Sequence, residues 1–337
     1  MIVHNRTAKR WLWLILSCVV LVAAIALSLA IGARDVSLGT VADALIHPDP
    51  TNNDHRAILD LRVPRTVIGL LVGSALALAG TLMQGLTRNP LADPGLLGIN
   101  AGASLCVLIA MSVFGITRPQ GFIWFALAGA AIAAVIVYFV GSLGGTGTTP
   151  LKLALAGAAL TAGLTSLITL ILLTNSHAFD SFRFWSVGSL TGRDLNTALT
   201  LLPFLAVGAV LALITGRMLN VLSLGDDLAR GLGQNVTVTR SIIAIAIVLL
   251  CGSATALAGP IVFVGLVIPH IVRPLSGPDH RWLLAYAIPL GAALLLIADV
   301  IGRIISRPGE IEAGLVVAFL GAPVMIALIQ RKRLAAV

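Results

Sequence analysis

The feature that most constrains the fold of this chain is a series of long apolar segments separated by short polar breaks. Nine segments could cross the roughly 30 Å hydrocarbon layer of a bilayer as helices. A tenth, Ile261 to Val272, follows the helix-breaking pair Gly259-Pro260 and would extend only about 18 Å as a helix. The pattern predicts a bundle of membrane-spanning helices. The nine long segments are 11–32, 66–86, 95–114, 122–142, 151–173, 196–216, 240–259, 282–302 and 314–330.

The composition supports the same class of protein. Of the 337 residues, 58% are hydrophobic and 11% are charged, whereas ordinary soluble domains contain roughly 25% charged residues. The mean hydropathy is +1.02, and abundant Gly and Ala suit helices that pack closely in lipid. We therefore predict an all-α polytopic membrane protein with ten transmembrane helices, one of them short or broken. They would form a single domain over residues 1–337.

The first apolar segment resembles a secretion signal, because Arg6, Lys9 and Arg10 precede it. It runs from Trp11 to Ile31, which exceeds the roughly 7–15 apolar residues of a signal peptide. We expect it to remain as the first helix. The three cysteines lie inside apolar segments without paired spacing, so they predict neither disulfides nor a metal site.

Basic residues at both ends of the chain predict the topology. The N-terminus (1–10) and the tail (331–337) are expected in the cytoplasm, which requires an even number of crossings and agrees with ten. With this orientation, 13 of the 22 basic residues face the cytoplasm. The others predict an outer basic rim that suits an acidic protein or an anionic ligand, although any single arginine could instead anchor a helix at the headgroups. They are Arg34, Arg56, Arg62, Arg65, Arg118, Arg183, Arg193, Arg303 and Arg307.

Residues 217–240 form the only long interior stretch that is strongly polar, and no lipid-buried helix could carry its charges. Its centre has the pattern of a short amphipathic helix. We predict that residues 217–239 form a cytoplasmic loop whose helix docks a soluble partner, with a merely solvated loop as the alternative. The apolar side of the pattern consists of Leu219, Leu222, Leu224, Leu228 and Leu232.

Several motifs of energy-converting proteins are absent from the sequence. No G-x-x-x-x-G-K-[ST] phosphate loop is present, so the chain is not expected to hydrolyse ATP itself. The histidines show no pair at metal-ligand spacing, and Asp93 and Asp299 fall near predicted helix ends, which gives a buried proton relay little support. We predict a transporter subunit that is not an enzyme, binds no metal and takes its energy from elsewhere.

Five sequence motifs occur in a characteristic order. They are R-V-P-R at Arg62–Arg65, the stretch from Ala75 to Ser104 with its M-Q-G-L-T-R-N-P-L-A-D-P-G core, F-W-S-V-G-S-L at Phe184–Leu190, G-D-D-L-A-R-G-L-G in the polar loop, and G-P-I-V-F-V-G-L-V-I-P-H at Gly259–His270. Together they resemble the FecCD family, the permeases of ABC importers for iron-siderophores, haem and cobalamin. Segments 251–256, 277–282 and 298–303 and the ending F-L-G-A-P-V most closely resemble the ferric-enterobactin type.

The resemblance implies a set of partners. A second permease subunit, related or identical, would pair with this chain, and two ATPase subunits would bind below and consume ATP with Mg. A substrate-binding protein would deliver the substrate from outside a bacterial cytoplasmic (inner) membrane. This chain itself would bind no cofactor and no nucleic acid, and its lipid-facing helices would contact the membrane.

The resemblance also implies roles for particular residues. The family's coupling helix matches Leu224 to Gly233, and the resemblance implies that six of its residues sit in a cleft of the ATPase: Asp226, Asp227, Leu228, Ala229, Arg230 and Gly231. The outer arginines that receive acidic groups of the binding protein match Arg62, Arg65 and Arg303. The coupling residues are Leu224, Gly225, Asp226, Asp227, Leu228, Ala229, Arg230 and Gly231.

Two regions are candidates for lining the substrate pathway. Thr161, Thr165 and Thr169 are spaced four apart, with Ser166 beside them, so their hydroxyls share one helical face. In the family this helix lines the pathway, but hydroxyls that bond back to their own helix explain the spacing equally well. The Gly259-Pro260 break is the second candidate, because interrupted spans often border transport routes.

One motif departs from the family pattern. Family members often carry E-x-P-x-G before the last helix, whereas this chain has Glu310-Ile311-Glu312-Ala313-Gly314. The missing proline leaves the start of that helix and the alignment of Glu310 open.

The function that these observations predict is that of a permease subunit of an ABC importer for ferric siderophores. A haem or cobalamin permease is an alternative within the same class. An ion-coupled secondary transporter is an alternative from a different class, and it would require an essential buried acid.

Overall fold

The computed structural model describes residues 2–32, 35–143 and 149–334, and within them the side chains of all residues except 2–7, 96, 150 and 327–334. Arg34, the end of the tail at 335–337 and the side chains of Arg6, Arg331, Lys332 and Arg333 therefore lie outside the described residues. The described residues form helices and no strand, which confirms the all-α prediction.

The α-helices follow one another with short connections. A π-helix at Ala57–Arg62 leads directly into the fourth, and a 3-10 helix at Pro94–Leu97 precedes the fifth. In chain order they are α1 (Ile2–Ala30), α2 (Leu38–Ile46), α3 (Asn53–Arg56), α4 (Val63–Thr87), α5 (Ile99–Ser112), α6 (Pro119–Ser142), α7 (Pro150–Thr174), α8 (Ser176–Ser186), α9 (Leu195–Ile214), α10 (Gly216–Leu222), α11 (Asp226–Gly231), α12 (Val236–Ala258), α13 (Val264–Ser276), α14 (His280–Ile305) and α15 (Ala313–Leu334).

Within the described residues, 7 helical stretches are long and apolar enough to cross a membrane. They contain α1, α4, α6, α7, α9, α12 and α14. Shorter apolar helices cover Ile99–Ser112, Val264–Ser276 and Ala313–Ile326. These helices confirm a membrane protein of many spans, and the count of ten complete crossings stays a prediction.

The segment predicted as one long helix at 95–114 is divided. Asp93 caps the 3-10 helix Pro94–Leu97 by accepting a hydrogen bond from the Gly95 amide, and Gly98 then adopts a left-handed backbone with φ of 69°. Glycine reaches this conformation without steric cost, but it interrupts a right-handed helix. The helix α5 therefore extends over only 14 residues, which is shorter than the predicted segment.

The short tenth segment begins and ends later than predicted. Phe263 has a left-handed φ of 69°, and α13 runs from Val264 to Ser276 with Pro269 in its interior. A proline inside a helix leaves the carbonyl four residues earlier without its usual amide donor. That carbonyl belongs to Gly265, and Gln84 of α4 donates to it at 3.5 Å and to the Leu266 carbonyl at 3.4 Å. The helix therefore continues through Pro269-His270 and beyond Val272, where the predicted segment ends.

The centre of the bundle is α4, which packs against α9, α12, α13 and α14. In the helical stretch Asn53–Thr87, 78% of the most apolar window is buried, against 6% for α7. Small residues make this possible, because they let helix backbones approach closely. A Cβ atom on Gly80 would overlap the backbone of Gly265, and one on Gly73 would come within 2.5 Å of the Gly291 carbonyl oxygen.

Two amphipathic helices, α2 and α8, were not predicted from the apolar segments. Each begins with a side chain that caps its first turn: Ser37 accepts a hydrogen bond from the Thr40 amide and Asn175 accepts one from the Ala178 amide, both at 3.0 Å. Such caps are readable in a sequence, but both helices are too short to cross a bilayer.

The close approach of α4 and α13 gives a stability prediction. Gly80→Ala should lower the free energy of unfolding by at least about 1–3 kcal/mol, because the new methyl group forces two backbones apart. Gly163→Ala is the matched control, since a Cβ at Gly163 in α7 meets no atom within 4 Å. Thermal unfolding of the purified chain in detergent measures both, and equal unfolding temperatures would contradict the packing described here.

Candidate functional site

The two candidate sites lie at opposite ends of α4. Arg65 lies in the first turn of this helix, and Arg88 follows its last residue. The helix between these two arginines is about 35 Å long, which is close to the thickness of the hydrocarbon layer. Groups bound to Arg65 and groups bound to Arg88 therefore face opposite sides of the membrane.

At one end, the polar loop (217–239) divides its leucines between two environments. Leu219 and Leu222 of α10 are 0% exposed and pack into the chain. Leu224, Leu228 and Leu232 are 57%, 61% and 66% exposed. A set of exposed large apolar side chains beside charges is typical of a surface that binds another protein. The loop thus has an anchoring part, α10, and a presented part, α11 with its flanks.

The two neighbouring aspartates of α11 differ in exposure and in their partners. The Asp227 side chain is 100% exposed, whereas that of Asp226 is 28% exposed and forms ion pairs with two arginines. Arg240 of α12 donates to the Asp226 carboxylate oxygens at 2.9 and 3.1 Å, and Arg88 binds the same carboxylate.

The predicted coupling residues differ in how accessible they are. Asp226 is 28% exposed and ion-paired within the chain, and Ala229 is 0% exposed on the inner side of α11. These two residues attach α11 to the rest of the chain, and their place in an ATPase cleft stays a prediction. The outward surface consists of Leu224, Asp227, Leu228, Arg230, Gly231 and Leu232.

A second set of hydrogen bonds joins α10 to the start of α14. Asn220 donates to the Asp279 carboxylate at 2.7 Å and accepts the His280 backbone amide at 2.8 Å. The Arg281 guanidinium, with Asn220, holds the pKa of Asp279 well below its usual range. Asp279 is therefore a fixed anion that caps α14 and fixes α10 beside it.

At the opposite end of α4, Asp299 is completely buried between two arginines. Arg65 donates to its two carboxylate oxygens at 2.7 and 2.9 Å, and Arg303 binds it from the next turn of α14. Arg303 also donates to the Ser28 and Ile31 carbonyl oxygens at 2.8 and 2.7 Å. This cluster ties α1, α4 and α14 together. Asp299, which lies within α14, is therefore a buried ion-pair partner of Arg65 and Arg303.

The three predicted docking arginines are less accessible than an outer rim requires. Arg62, Arg65 and Arg303 are 8%, 8% and 2% exposed. Arg62 donates to the Leu29 and Ala30 carbonyl oxygens, both at 2.7 Å. The prediction of an openly displayed rim is corrected for these three, because their charges are used to join helices. Their docking role stays a prediction.

A cavity of about 670 Å³ reaches all three of these arginines. Glu310 also lines it and binds Arg65 at 2.6 Å, with its own side chain 30% exposed. Arg193 adds a further positive charge, and burial lowers its pKa. Asp60 and Asp194 also line the cavity, so four arginines face three carboxylates and the recessed chamber has only a small excess of positive charge. Glu310 is the most accessible partner of the buried cluster.

The candidate pathway residues divide between an open and a closed environment. Thr165, Ser166 and Thr169 lie on the exposed side of α7, while Thr161 is partly buried. Ser166 and Thr169 donate to the carbonyl oxygens four residues earlier at 2.9 Å. The hydroxyls of these two residues are therefore exposed and also bonded to their own helix. Whether this face lines a pathway stays a prediction.

The Gly259-Pro260 break serves a packing role in this conformation. Gly259 is buried, with a φ of 79°, and a Cβ atom there would overlap the Trp185 carbonyl oxygen of α8. Gly259 is therefore enclosed in this conformation, and its role in lining the pathway stays a prediction. Pro260 is only partly buried beside it, and its lining role remains untested.

The structure also identifies residues that the sequence motifs did not single out. Arg88, Arg240, Asn220 and Asp279 fix the polar loop, and Glu310 completes the opposite cluster. No local sequence pattern indicates these pairings, because the partners are separated by 14 to 245 residues in the chain. Among the described residues, no group of three or more His, Cys, Asp and Glu side chains could hold a metal ion.

The buried cluster predicts a large cost for one substitution. Asp299→Asn should lower the free energy of unfolding by about 3–5 kcal/mol, because it leaves two buried guanidinium groups without their shared carboxylate. Asp180→Asn removes an exposed carboxylate that pairs with Arg183 and should cause no measurable change. Denaturant or thermal unfolding in detergent compares the two variants, and similar losses would refute the role of Asp299.

Comparison with known proteins agrees with these features. Residues 20–331 match the FecCD transport family. The ferric enterobactin transport system permease protein FepD of Escherichia coli is 50% identical over 313 residues, 93% of each chain. The probable siderophore transport system permease protein YfiZ of Bacillus subtilis is 40% identical over 97% of this chain and 98% of the relative.

Two further comparisons extend this result. The hemin transport system permease protein HmuU of Yersinia pestis is 38% identical over 90% of this chain and 92% of its own. A solved inward-facing structure of a metal-chelate type ABC transporter superimposes with a TM-score of 0.82 and 27% identity, covering 94% of this chain and 98% of that one. The chain belongs to the FecCD transport family and is a multi-pass permease of the bacterial inner membrane.

Proposed function

We propose that this chain is the permease subunit of an ABC importer for ferric siderophores. A partner ATPase would supply the energy and use the ATP and Mg, and an extracytoplasmic binding protein would deliver the substrate. The polar loop and both termini would lie in the cytoplasm. A second permease subunit, related or identical, would complete the pathway against the exposed face of α7. The siderophore assignment is supported by the names of the relatives FepD and YfiZ.

The observation that carries the proposal is the division of α11 into two faces. Exposed leucines and Asp227 form the face available to an ATPase, while Asp226 on the other face binds Arg88 and Arg240. A movement imposed on α11 would therefore act on the end of α4 and the start of α12 at the same time. An unattached, solvated loop would lack these paired ionic contacts, so they favour coupling over the solvated alternative.

The recessed chamber, with its small excess of positive charge, suits the binding of an acidic group from the binding protein. Such a group would have to enter the cavity and compete with Glu310 for the accessible edge of Arg65. The other edge of Arg65 is occupied by Asp299. Docking at this site would thereby change the ionic contact between Arg65 of α4 and Glu310 in the segment before α15. Such a change would connect binding outside the membrane to the positions of helices inside it.

The two faces of α11 predict separable defects. Leu228→Ser should reduce the amount of ATPase subunit that co-purifies with the permease, because it removes exposed apolar contact area. Asp226→Asn should preserve that association but reduce uptake per ATP hydrolysed, since Arg88 and Arg240 lose their shared anion. Leu45→Ser is the control, because it also removes an exposed leucine side chain. Leu45 is 50% exposed and lies on α2, at the end of α4 opposite α11. Normal association and normal uptake in all three variants would contradict coupling through α11.

The substrate and the energy source are tested together in proteoliposomes that contain the complete importer and its binding protein. Ferric catecholate siderophore should be taken up when ATP is present inside, and an uncoupler should have no effect. Uptake of haem but no siderophore would favour the haem alternative. Loss of uptake with an uncoupler, or uptake after the ATPase is disabled, would refute an ATP-driven importer.

A further inference from the structure

A second cavity lies beside the polar loop, at the end of α4 opposite the recessed chamber. It has a volume of about 510 Å³ and is enclosed by the end of α4, the end of α13 and the start of α14. Arg88, Arg273 and His280 line it together with Gln84 and Ser223, and no carboxylate is among its lining residues. Its charge is therefore positive, although Asp226 binds Arg88 from outside the cavity.

Arg273 is the uncompensated charge in this cavity. Its guanidinium donates one hydrogen bond, to Gln84 at 3.1 Å, and its Nε atom is buried without a hydrogen-bond partner. Among the described residues, none of the carboxylates forms an ion pair with it, whereas Arg88, Arg240 and Arg281 each have one. An arginine keeps its proton in a protein, and Arg273 is partly exposed at the cavity. It therefore presents a positive charge, without a carboxylate partner in the described part of the chain, to an anion that enters the cavity.

The position of Arg273 is fixed by the unusual geometry of α13. Pro269 frees the Gly265 carbonyl, and the Gln84 amide donates to that carbonyl and to the Leu266 carbonyl. Both of these bonds use the nitrogen of Gln84, which leaves its oxygen directed at Arg273. Gln84 holds Arg273 through Nη2, while the Nη1 donors have no hydrogen bond within the described residues and are not buried. This is a preorganised site, because the side chain does not have to be ordered on binding.

We propose that this cavity binds a phosphate group. The guanidinium of Arg273 is a charge-assisted donor of the kind that binds phosphate oxygens, and Arg88, which also lines the cavity, adds a positive charge that it shares with Asp226. The volume accommodates a phosphate with a small substituent. Two sources carry this chemistry: a soluble phosphate compound, or the headgroup of an anionic phospholipid. The site goes beyond the proposed transport function, and it adjoins the contacts of Arg88 and Asp226 that join the polar loop to α4.

The first test measures inorganic phosphate binding to the complete importer in detergent. The unfolding temperature should rise with phosphate and saturate, while chloride at equal ionic strength has no such effect. Arg273→Gln should weaken the apparent affinity by roughly tenfold to hundredfold, as expected for loss of a charge-assisted contact. Arg183→Gln is the matched control, because it removes an arginine that pairs with Asp180 on α8 and it should bind phosphate as the parent does.

A second measurement keeps the proposal testable if Arg273→Gln folds poorly. Ser223 is exposed at the cavity, so Ser223→Cys can be labelled with a maleimide in a chain that keeps Arg273. Phosphate should slow this labelling. In lipid nanodiscs, native mass spectrometry should find phosphatidylglycerol retained and phosphatidylcholine not retained if the source is a lipid, with retention lost in Arg273→Gln.

Either phosphate protection or selective lipid retention, each dependent on Arg273, supports the site and identifies its source. Absence of both overturns it. The proposal is also overturned if phosphate slows labelling only after the ATPase subunits are removed, because an acidic group of the partner then occupies the cavity. None of these binding measurements depends on which substrate is transported, so their failure would leave the proposed function unaffected.

Discussion

The structure depends on the absence of water within the bilayer. A charge that is buried near the hydrocarbon is very costly unless it has a partner inside the protein. The chain meets this constraint in the same way at both ends of α4. Asp299 is shared by Arg65 and Arg303 at one end, and Asp226 is shared by Arg88 and Arg240 at the other. Between these ion clusters, α4 makes contact mainly through small apolar side chains.

This arrangement makes α4 suitable for transmitting movement. A helix packed on all sides by neighbours through glycine contacts has little freedom to bend, and each of its ends is joined by an arginine to another element. A displacement of α11 would reach α4 through Asp226, while Asn220 and Asp279 would carry it to α14. Since α14 also carries Asp299 and Arg303, both routes meet again at the buried cluster on the far side of the membrane. Polar contacts therefore link α4 and α14, directly or through the polar loop, on both sides of the membrane.

The sequence predicted the apolar segments well because hydropathy depends only on local composition. The sequence could not show that Asp226 is ion-paired within the chain while Asp227 is fully exposed. The two residues are adjacent in the chain but lie about 100° apart around a helix. The sequence also predicted exposure for Arg65 and Arg303 because their partner carboxylates, Asp299 and Glu310, were not recognised as such. The continuation of α13 beyond Val272 was also not predicted, because Gln84, whose amide compensates the carbonyl freed by Pro269, is more than 180 residues away in the sequence.

The departure from the family motif before α15 has a physical explanation in the structure. Glu312 stands at the position of the expected proline, directly before the first residue of α15, and its carbonyl accepts the Leu315 and Val316 amides. A residue there needs no amide hydrogen bond within the helix, so losing proline removes no helical contact. A negative charge at a helix N-terminus is itself favourable. Glu310 still reaches Arg65 at 2.6 Å, so the buried cluster is complete without the proline.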